Sequence, residues 1–206
     1  MKKSQKLYLP LKRLIGIVGS LIGILFCLAF FWWWVFPINL IVTKGHPIFV
    51  QERYGKNKKV FKLLKFRSMK LDVDPNFAPS GMSEEQQKEM QTGFGNFLRK
   101  TSIDETLQLF NIFVGQMAFI GPRPGSAHNE EELVVEREKY TPSAFAVRPG
   151  LGGLAQVTMK RDHNVSDKSR LDHEYAKNIS LWLDIKLFVL TILKALKGDT
   201  QSRTKE

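Results

Sequence analysis

Two adjacent carboxylates, Asp104 and Glu105, stand in the segment TSIDETLQLFN at residues 101–111. Ser102 and Glu105 have the spacing of a capping box, a pattern that begins many ordinary helices. In such a helix Asp104 is the second residue, where the dipole favours negative charge and free backbone N–H groups attract phosphate. The segment therefore predicts either a plain helix start or a site in which ionised Asp104 attacks phosphorus and forms an aspartyl phosphate.

A phosphate site also requires cations, and four basic residues have suitable contexts. Arg123 and Arg148 each precede a proline, which favours an extended backbone and a fixed guanidinium that can bind phosphate oxygens. Lys65 and Arg67 alternate along an extended run and so are expected on one face. The alternative is that these residues form solvated turns and a basic strand face over lipid headgroups. The sequence contains no P-loop or GxGxxG pattern of the standard nucleotide sites.

Residues 14–43 contain no charged side chain. This run is longer than the apolar region of a secretory signal, which has ~7–15 residues, and no A-x-A-like cleavage site follows it. It is also long enough for a membrane span, which needs about 20 residues. We therefore predict a retained membrane segment.

The charges that flank this run bear on its geometry. Basic residues lie on both sides: Lys2, Lys3, Lys6, Lys12 and Arg13 before it, and Lys44, Arg53, Lys56, Lys58, Lys59, Lys62, Lys65, Arg67 and Lys70 after it. A simple span concentrates Lys and Arg on one side, whereas both flanks are basic when both lie at the anionic cytoplasmic leaflet. We expect a re-entrant helix that enters, bends and returns. A single tilted span, with tryptophans 32–34 at the far interface, is the alternative.

The net charge of +11 is compatible with anionic lipid, phosphorylated substrates or nucleic acid. The membrane segment explains the lysines more simply, because juxtamembrane basic stretches bind anionic lipid. The lone cysteine, Cys27, lies in the apolar run and is interpreted as a small hydrophobic residue, so no disulfide within the chain is expected. Histidines 46, 128, 163 and 173 lack the spacing of metal ligands.

The rest of the chain predicts short strands and several helices. Residues 47–69 indicate two extended runs around the turn YGKNKK, and residues 71–83 have the composition of a loop. Helices are expected in three later segments: one that begins at Ser83, one over 129–140 capped by Asn129, and one over 180–198 that begins at Ser180 and ends at Gly198. The last of these has a wide apolar face suited to the membrane interface.

These patterns together predict an α/β, mostly helical protein. One N-terminal membrane-inserted helix, expected to be re-entrant, occupies residues 1–46 with its basic flanks. A small cytosolic catalytic domain, with short strands and interfacial amphipathic helices, follows at residues 47–198. Residues 199–206 are expected to be a disordered tail.

Several segments together resemble one family. In chain order they are QERYG with FKLLKFRSM, SIDETLQLFN, MAFIGPRPG, VRPGLGGLAQV and SLWLDIK. Their order is similar to that of bacterial sugar transferases, the monotopic phosphoglycosyl transferases, over residues 12–197. The resemblance implies transfer of a phosphosugar from a UDP-sugar to polyprenyl (undecaprenyl) phosphate, with release of UMP. It places this reaction at the cytoplasmic face of the bacterial inner membrane, where it begins exopolysaccharide, capsule or other glycan assembly upstream of further glycosyltransferases.

The resemblance also implies roles for individual residues. Asp104 would be the nucleophile and Glu105 the second acid, with Mg²⁺ held beside them. Polar positions that line the family's site are matched by Lys65, Arg123, Arg148, Gln156 and Asp172, and the spacing of Arg67 from Lys65 adds Arg67 to the substrate-binding set. Lys12 and Arg13 resemble the basic pair that anchors the membrane helix at lipid headgroups.

The chain departs from the family pattern at four places. A Ser-Pro break in the membrane helix is replaced by Leu28-Ala29, a proline after the acids by Leu107, an acid by Gln116, and an NGR segment by Thr158-Met159-Lys160. These differences predict a changed sugar preference rather than inactivity. We expect sugar choice to depend on residues 71–83 and 158–164.

Two other classes of function remain as alternatives. A basic membrane-anchored scaffold would bind lipid and partner enzymes without catalysis. A membrane-tethered nucleic-acid binder would use the same positive charge, but the sequence contains no recognisable reading helix or stacked-aromatic motif. No nucleic acid is therefore expected among the partners.

Overall fold

The computed structural model describes residues 3–73, 84–128, 130–159 and 164–196. The α-helices are α1 Lys3–Cys27, α2 Trp33–Thr43, α3 Glu84–Glu89, α4 Gly93–Lys100, α5 Gln108–Val114, α6 Glu131–Glu138, α7 Leu154–Thr158, α8 Val165–Asn178 and α9 Leu181–Leu196. The strands are β1 Ile48–Tyr54, β2 Val60–Phe66, β3 Ala118–Ile120 and β4 Gly150–Gly152. The described chain is thus mostly helical with short strands, as predicted.

The apolar run forms one long helix near the N-terminus. Residues Gln5–Thr43 are helical throughout, and this helix has the length and composition of one that could cross a membrane. A π-helical turn, Leu28–Trp32, separates α1 from α2. It begins at Leu28-Ala29, the place at which the resemblance to the sugar transferases puts a break in the helix. Both Pro10 and Pro37 lie inside the helix.

The π-helical turn determines which side chains of α2 face the rest of the protein. It closes with one residue more than an α-helical turn, so the residues that follow it are shifted by about 100° around the axis. Trp32, Asn39 and Thr43 are buried together with Ile24 of α1. The turn therefore keeps one face of the long helix against the domain on both sides of the irregularity.

Small residues let α1 approach the domain closely. A Cβ atom on Gly19 would lie 2.8 Å from the Phe119 ring, and one on Gly23 would lie 3.0 Å from Leu109. Cys27 is buried in the core that α1 and α2 share with β2, α4 and α5, which confirms its interpretation as a small hydrophobic residue. One face of the long helix therefore contributes to the domain's core.

Two small sheets position the motifs. Strands β1 and β2 pair antiparallel, with Ile48 opposite Phe66 and Tyr54 opposite Val60, which confirms the two predicted runs around YGKNKK. Strands β3 and β4 pair parallel. They bring the loop after β3, GPRPG, next to the Arg-Pro turn before β4. The backbones meet so closely that a Cβ on Gly121 would lie 2.4 Å from the Arg148 carbonyl oxygen.

The predicted helices of the second half are present with adjusted ends. Helix α6 occupies Glu131–Glu138 within the predicted range. Ser180 caps α9, since its Oγ accepts the Leu183 N–H at 3.3 Å. The proposed caps at Ser83 and Asn129, the stop at Gly198 and the tail 199–206 lie outside the described residues, as do most of the two segments expected to select the sugar.

Candidate active site

The two acids lie in a short 3₁₀ turn, Ile103–Leu107, that links α4 to α5. Ser102 at its start has a φ of 57°, in the left-handed region. An N-cap side chain reaches the first free N–H groups from an extended backbone, and Ser102 makes no such capping bond. The prediction of a capping box at Ser102 and Glu105 is therefore wrong. Instead the Glu105 N–H donates to the Ser102 carbonyl at 3.3 Å, and Asp104 is still the second residue of the turn.

The side chains of the two acids have different surroundings. Asp104 is buried, with 6% of its surface exposed. Glu105 accepts a hydrogen bond and ion pair from the Lys65 ammonium at 2.8 Å, and its Oε1 lies 3.9 Å from the Arg123 guanidinium. The hairpin strand β2 and the loop after β3 thus bring two of the predicted basic residues to the predicted acids.

These surroundings shift the two pKa values apart. Burial raises the pKa of Asp104 to about 6, although the Lys65 ammonium acts in the opposite direction. Burial would also raise the pKa of Glu105, but the charges of Lys65 and Arg123 outweigh it and lower that pKa to about 2. Near neutral pH, Glu105 is therefore firmly ionised, and Asp104 is a carboxylate that titrates close to the working pH, as acids and bases of active sites often do.

Two further arginines contribute positive charge to this site. Arg99, at the end of α4, lowers the pKa of both acids through its charge. Arg53 of β1 is half-buried, and its partial burial together with the Arg123 charge lowers its pKa to about 10. Its guanidinium donates to Gln51 and to the Pro124 carbonyl.

The sequence reasoning missed both arginines as site residues. Arg99 precedes Asp104 by one helical turn and a bend, and Arg53 lies in the QERYG segment that carries part of the resemblance. We name the group around the dyad the acid–base cluster. Its members are Arg53, Lys65, Arg99, Asp104, Glu105, Arg123 and Glu130. Cations outnumber carboxylates in it, so it can attract an anion with more than one negative charge.

Other predicted substrate residues lie apart from this cluster. Strand β2 ends at Phe66, so Arg67 leaves the strand and donates to the His46 carbonyl at 2.9 Å, with its guanidinium over the Phe49 ring. The alternation that placed Arg67 beside Lys65 therefore stops one residue too early. In the described structure Arg67 makes no contact with the two acids, and its role in substrate binding stays a prediction.

Arg13 and Arg148 meet at the end of α5. Arg13 donates to the carbonyls of Ile112 and Phe113, each at 2.6 Å, and Arg148 donates to the Gly115 carbonyl at 2.8 Å. The last carbonyls of a helix lack partners within it, and basic side chains bind them well. Both arginines thus stabilise the end of the helix that begins beside the dyad.

Lys12 lies inside the protein and not at its outer surface. Its ammonium pairs with Asp184 at 2.6 Å and donates to the Ile120 carbonyl at 2.7 Å and to the Tyr175 hydroxyl. Asp184 also accepts the hydroxyls of Tyr8 and Tyr175, each at 2.6 Å. We name these five residues the Lys12 clasp. Because the Lys12 ammonium neutralises the buried Asp184, Lys12 is not available to bind a lipid headgroup, which is the role that the family resemblance suggested.

Asp172 is buried and supports the site indirectly. It forms an ion pair with Arg137 at 2.5 Å, and Arg137 also donates to the Arg123 carbonyl at 2.8 Å. Burial raises the pKa of Asp172 against the opposing charge of Arg137. The structure thus places Asp172 behind the loop that carries Arg123, in a positioning role rather than at the surface of the site. Arg137 was missed because it lies in a helix whose polar sequence indicates exposure.

Gln156 and Gln116 have structural contacts. The backbone carbonyl of Gln156 accepts the Lys194 ammonium at 2.6 Å, which joins α7 to α9, and its side-chain Oε1 is buried without a hydrogen-bond partner. Gln116 accepts a hydrogen bond from Asn111 at 2.7 Å, and Asn111 in turn bonds the backbone of β2. An uncharged residue at position 116 therefore helps to connect α5 to the hairpin that carries Lys65.

The adjacent carboxylates of Asp104 and Glu105 could hold a cation at this site. In the part of the chain that the structure describes, no group of three or more His, Cys, Asp or Glu side chains surrounds a common point. Mg²⁺ in phosphate-transfer sites commonly takes one or two carboxylates and completes its shell with water and substrate phosphates. The two acids fit that donor set.

Comparison with known proteins agrees with this arrangement. Residues 7–198 match the family described as bacterial sugar transferase. The chain is 33% identical over 213 residues to the galactosyl transferase CpsE of Streptococcus agalactiae serotype III, covering 96% of this chain and 45% of that protein. It is 36% identical over 160 residues to the UDP-glucose:undecaprenyl-phosphate glucose-1-phosphate transferase of Escherichia coli K12, covering 74% of this chain and 33% of that protein.

A third relative extends the range of sugars. The UDP-N-acetylgalactosamine-undecaprenyl-phosphate N-acetylgalactosaminephosphotransferase of Aeromonas hydrophila is 36% identical over 160 residues, covering 76% of this chain and 37% of that protein. The chain spans less than half the length of each of these relatives. Because the family match covers nearly all of the sequence, including every residue of the acid–base cluster, the chain belongs to the bacterial sugar transferase family.

Proposed function

We propose that this protein transfers a phosphosugar from a UDP-sugar to polyprenyl (undecaprenyl) phosphate and releases UMP. The observation that carries the proposal is the buried Asp104 carboxylate, which lies next to the ionised Glu105 in a cluster where cations outnumber acids. The names of the relatives, which specify UDP-sugars and undecaprenyl phosphate, support the same substrates.

In the first step an Asp104 carboxylate oxygen attacks the phosphorus next to the sugar. A new bond forms between that oxygen and phosphorus, the bond from phosphorus to the bridging oxygen breaks, and UMP leaves with the bonding electrons. Lys65, Arg99 and Arg123 attract the diphosphate and offset the charge that builds up as UMP departs. Glu105, held by Lys65, keeps that ammonium directed at the reacting centre.

In the second step the acceptor phosphate attacks the same phosphorus. Its oxygen forms the new diphosphate bond, and the bond from phosphorus to the Asp104 oxygen breaks, which restores the carboxylate. The two half-reactions share one set of cations, so the donor's leaving group must depart before the acceptor phosphate enters. Ping-pong kinetics are the expected signature.

Asp104 and Glu105 would hold Mg²⁺ together with the substrate phosphates. When bound, the ion supplies positive charge that neutralises the diphosphate. Lys65 already occupies one Glu105 oxygen at 2.8 Å, so the two carboxylates would share the cation unequally.

We also propose that the long helix enters the membrane from the cytoplasmic side and returns to that side. Both ends of the long helix bind the same domain, through Lys12 at one end and through Asn39, which donates to the Pro47 carbonyl, at the other. These contacts favour re-entry over a free span with its ends on opposite faces of the bilayer.

Large exposed apolar side chains lie on α1 and α2, at the end of α5 and along α9. They include Leu14, Val18, Ile22, Phe26, Ile41, Phe110, Phe113, Val114, Trp182, Ile185, Val189 and Ile192. An exposed apolar surface of this extent indicates a lipid-facing side. We place the protein at the bacterial inner membrane, where its product would enter exopolysaccharide, capsule or another glycan through downstream glycosyltransferases.

The proposal is tested by UMP release in nanodiscs that contain anionic phospholipid. Wild-type protein is given Mg²⁺, undecaprenyl phosphate and a panel of UDP-glucose, UDP-galactose and UDP-N-acetylgalactosamine, beside Asp104→Asn. The matched control is Asp167→Asn, which changes an exposed aspartate of α8. We expect release with one or two sugars, a loss of at least about 10³-fold in Asp104→Asn, and wild-type rates in the control.

A second measurement tests the covalent step. With donor labelled in the phosphate next to the sugar and no acceptor lipid, wild-type protein should retain label that hydroxylamine removes, and Asp104→Asn should retain none. Release of UMP by Asp104→Asn at the wild-type rate would overturn the role of Asp104. Failure of every donor, with intact folding and lipid binding, would favour the alternative of a membrane-anchored scaffold.

A further inference from the structure

A line of two hydrogen bonds joins the long N-terminal helix to the turn that carries the acids. The indole Nε1–H of Trp32 donates to the Thr106 hydroxyl oxygen at 2.9 Å. The Thr106 hydroxyl in turn donates to the Ile103 carbonyl at 2.7 Å. Ile103 immediately precedes Asp104, and Thr106 immediately follows Glu105. The hydrogen bonds therefore connect the residues on either side of the two acids.

The turn itself provides little rigidity. A 3₁₀ turn has poorer hydrogen-bond geometry than an α-helix, and this one is entered through Ser102 in the left-handed region, a conformation that is unfavourable for a residue with a side chain. Its position therefore depends on contacts from outside. The Trp32 bond is one of these, and it comes from a residue distant in sequence.

Trp32 is well placed to give such support. Only 7% of its surface is exposed, and its ring stacks on Phe110 of α5 with the centroids 5.3 Å apart. Trp32 is also the last residue of the π-helical turn, which shifts the side chains that follow Cys27 around the helix. The irregular turn in the long helix thus directs an indole N–H at the segment that carries the dyad.

We propose that Trp32 and Thr106 are positioning residues for phosphosugar transfer. Their hydrogen bonds hold the Ile103–Leu107 turn so that Asp104 remains at the reacting phosphorus and Glu105 remains paired with Lys65. Through these bonds the membrane-inserted helix fixes the positions of the two acids. This inference rests on the proposed function, because it assigns a role relative to the Asp104 reaction.

The experiment uses four conservative single variants of the full chain, and the double variant Trp32→Phe with Thr106→Val, in nanodiscs. Trp32→Phe keeps an aromatic ring against Phe110 but removes the N–H, and Thr106→Val keeps the shape of the side chain but removes the hydroxyl. Thr106→Ser retains the hydroxyl and serves as the rescue variant. The matched control is Trp34→Phe, which removes an indole N–H of the same helix that donates to the Phe30 carbonyl.

We expect Trp32→Phe and Thr106→Val each to lower kcat about 10-fold while the KM for the UDP-sugar stays within about 2-fold, because displacement of a reacting group affects the chemical step more than binding. The double variant should lose no more than Thr106→Val alone, since Thr106→Val already removes the bond to Trp32 as well as the bond to the Ile103 carbonyl. Thr106→Ser and Trp34→Phe should keep wild-type kcat.

Two results would overturn the inference. One is wild-type kcat in folded Trp32→Phe and Thr106→Val. The other is an equal loss in Trp34→Phe, which would indicate general loosening of the helix. Asp104→Asn, assayed in parallel, separates this failure from that of the proposed function: an active Asp104→Asn contradicts the function, whereas an inactive Asp104→Asn beside unaffected Trp32 and Thr106 variants contradicts only the positioning role.

Discussion

The Lys65–Glu105 and Lys12–Asp184 pairs are both short, at 2.8 Å and 2.6 Å, but they differ in their surroundings. Glu105 faces further cations and a second carboxylate, and the side chains of its pair are 19% and 22% exposed. Asp184 accepts two tyrosine hydroxyls besides the ammonium, and the side chains of that pair are 13% and 11% exposed. The first group is open and carries excess positive charge, whereas the second is closed and balanced.

This difference separates a site from a structural joint. Like charges held close together cost free energy, so an excess of positive charge is expected where an anion completes the group. In a balanced group the donors and acceptors satisfy one another, so neither net charge nor a free hydrogen-bonding group remains to bind a ligand. The acid–base cluster is therefore where we propose that the diphosphate binds, and the Lys12 clasp joins α1, α8 and α9.

Among changes to the two ion pairs, the largest effect on activity should come from removing the cation of the open group. We expect Lys65→Met to lower kcat/KM for the UDP-sugar about 10²- to 10³-fold, because one directed donor is lost from the developing charge and Glu105 loses its partner. The control is Lys62→Met, an exposed lysine on the same strand. Steady-state UMP release measures both. A wild-type kcat/KM in Lys65→Met would contradict the assignment of the Lys65–Glu105 pair to the site and of the Lys12–Asp184 pair to a structural joint.

The closed group should respond in stability and not in chemistry. Asp184→Asn leaves the Lys12 ammonium buried without a counter-charge, and we expect it to destabilise the protein by about 3 kcal/mol. Thermal unfolding in detergent measures this against Asp167→Asn as the control. The kcat per folded molecule should stay near wild type. A large fall in kcat with unchanged stability would assign the clasp to the catalytic machinery instead.

The smallest expected effect is a shift in the pH profile of kcat/KM, which should follow changes in the open group and not in the closed one. The proposed attack requires an ionised Asp104, whose pKa is about 6, so kcat/KM should fall as pH drops below that value. Lys65 lowers the pKa of Asp104, so Lys65→Met should move this acid limb to higher pH. Lys12→Met should leave it in place. The pH profile of residual activity measures both, and a limb that moved to lower pH in Lys65→Met would contradict the assignment.

Much of the fold followed from local patterns. The apolar run, the hairpin around YGKNKK, the cap at Ser180 and the predominance of helix are each determined by residues close together in the chain. The capping box failed because Ser102 adopts a left-handed backbone at the junction of α4 with the turn, which the spacing of two residues does not reveal.

The site was predicted in part. Asp104, Glu105, Lys65 and Arg123 were identified and do lie together, whereas Arg67 turns away once β2 ends. Arg13 and Arg148 were expected at headgroups and substrate; the structure shows them at the carbonyls that end α5, and those two roles stay predictions. Arg53, Arg99 and Arg137 were missed because isolated basic residues in polar segments resemble ordinary surface residues.

By itself, the sequence determined the types of residue that can do the chemistry and the elements that carry them, because periodicity and turn composition act over a few residues. Only the tertiary structure decided which charges pair. Lys65 and Glu105 are 40 residues apart, and Lys12 meets a residue at the other end of the chain. The free energy of a charge depends on its burial and on the partners within a few ångströms, and these are properties of the folded chain.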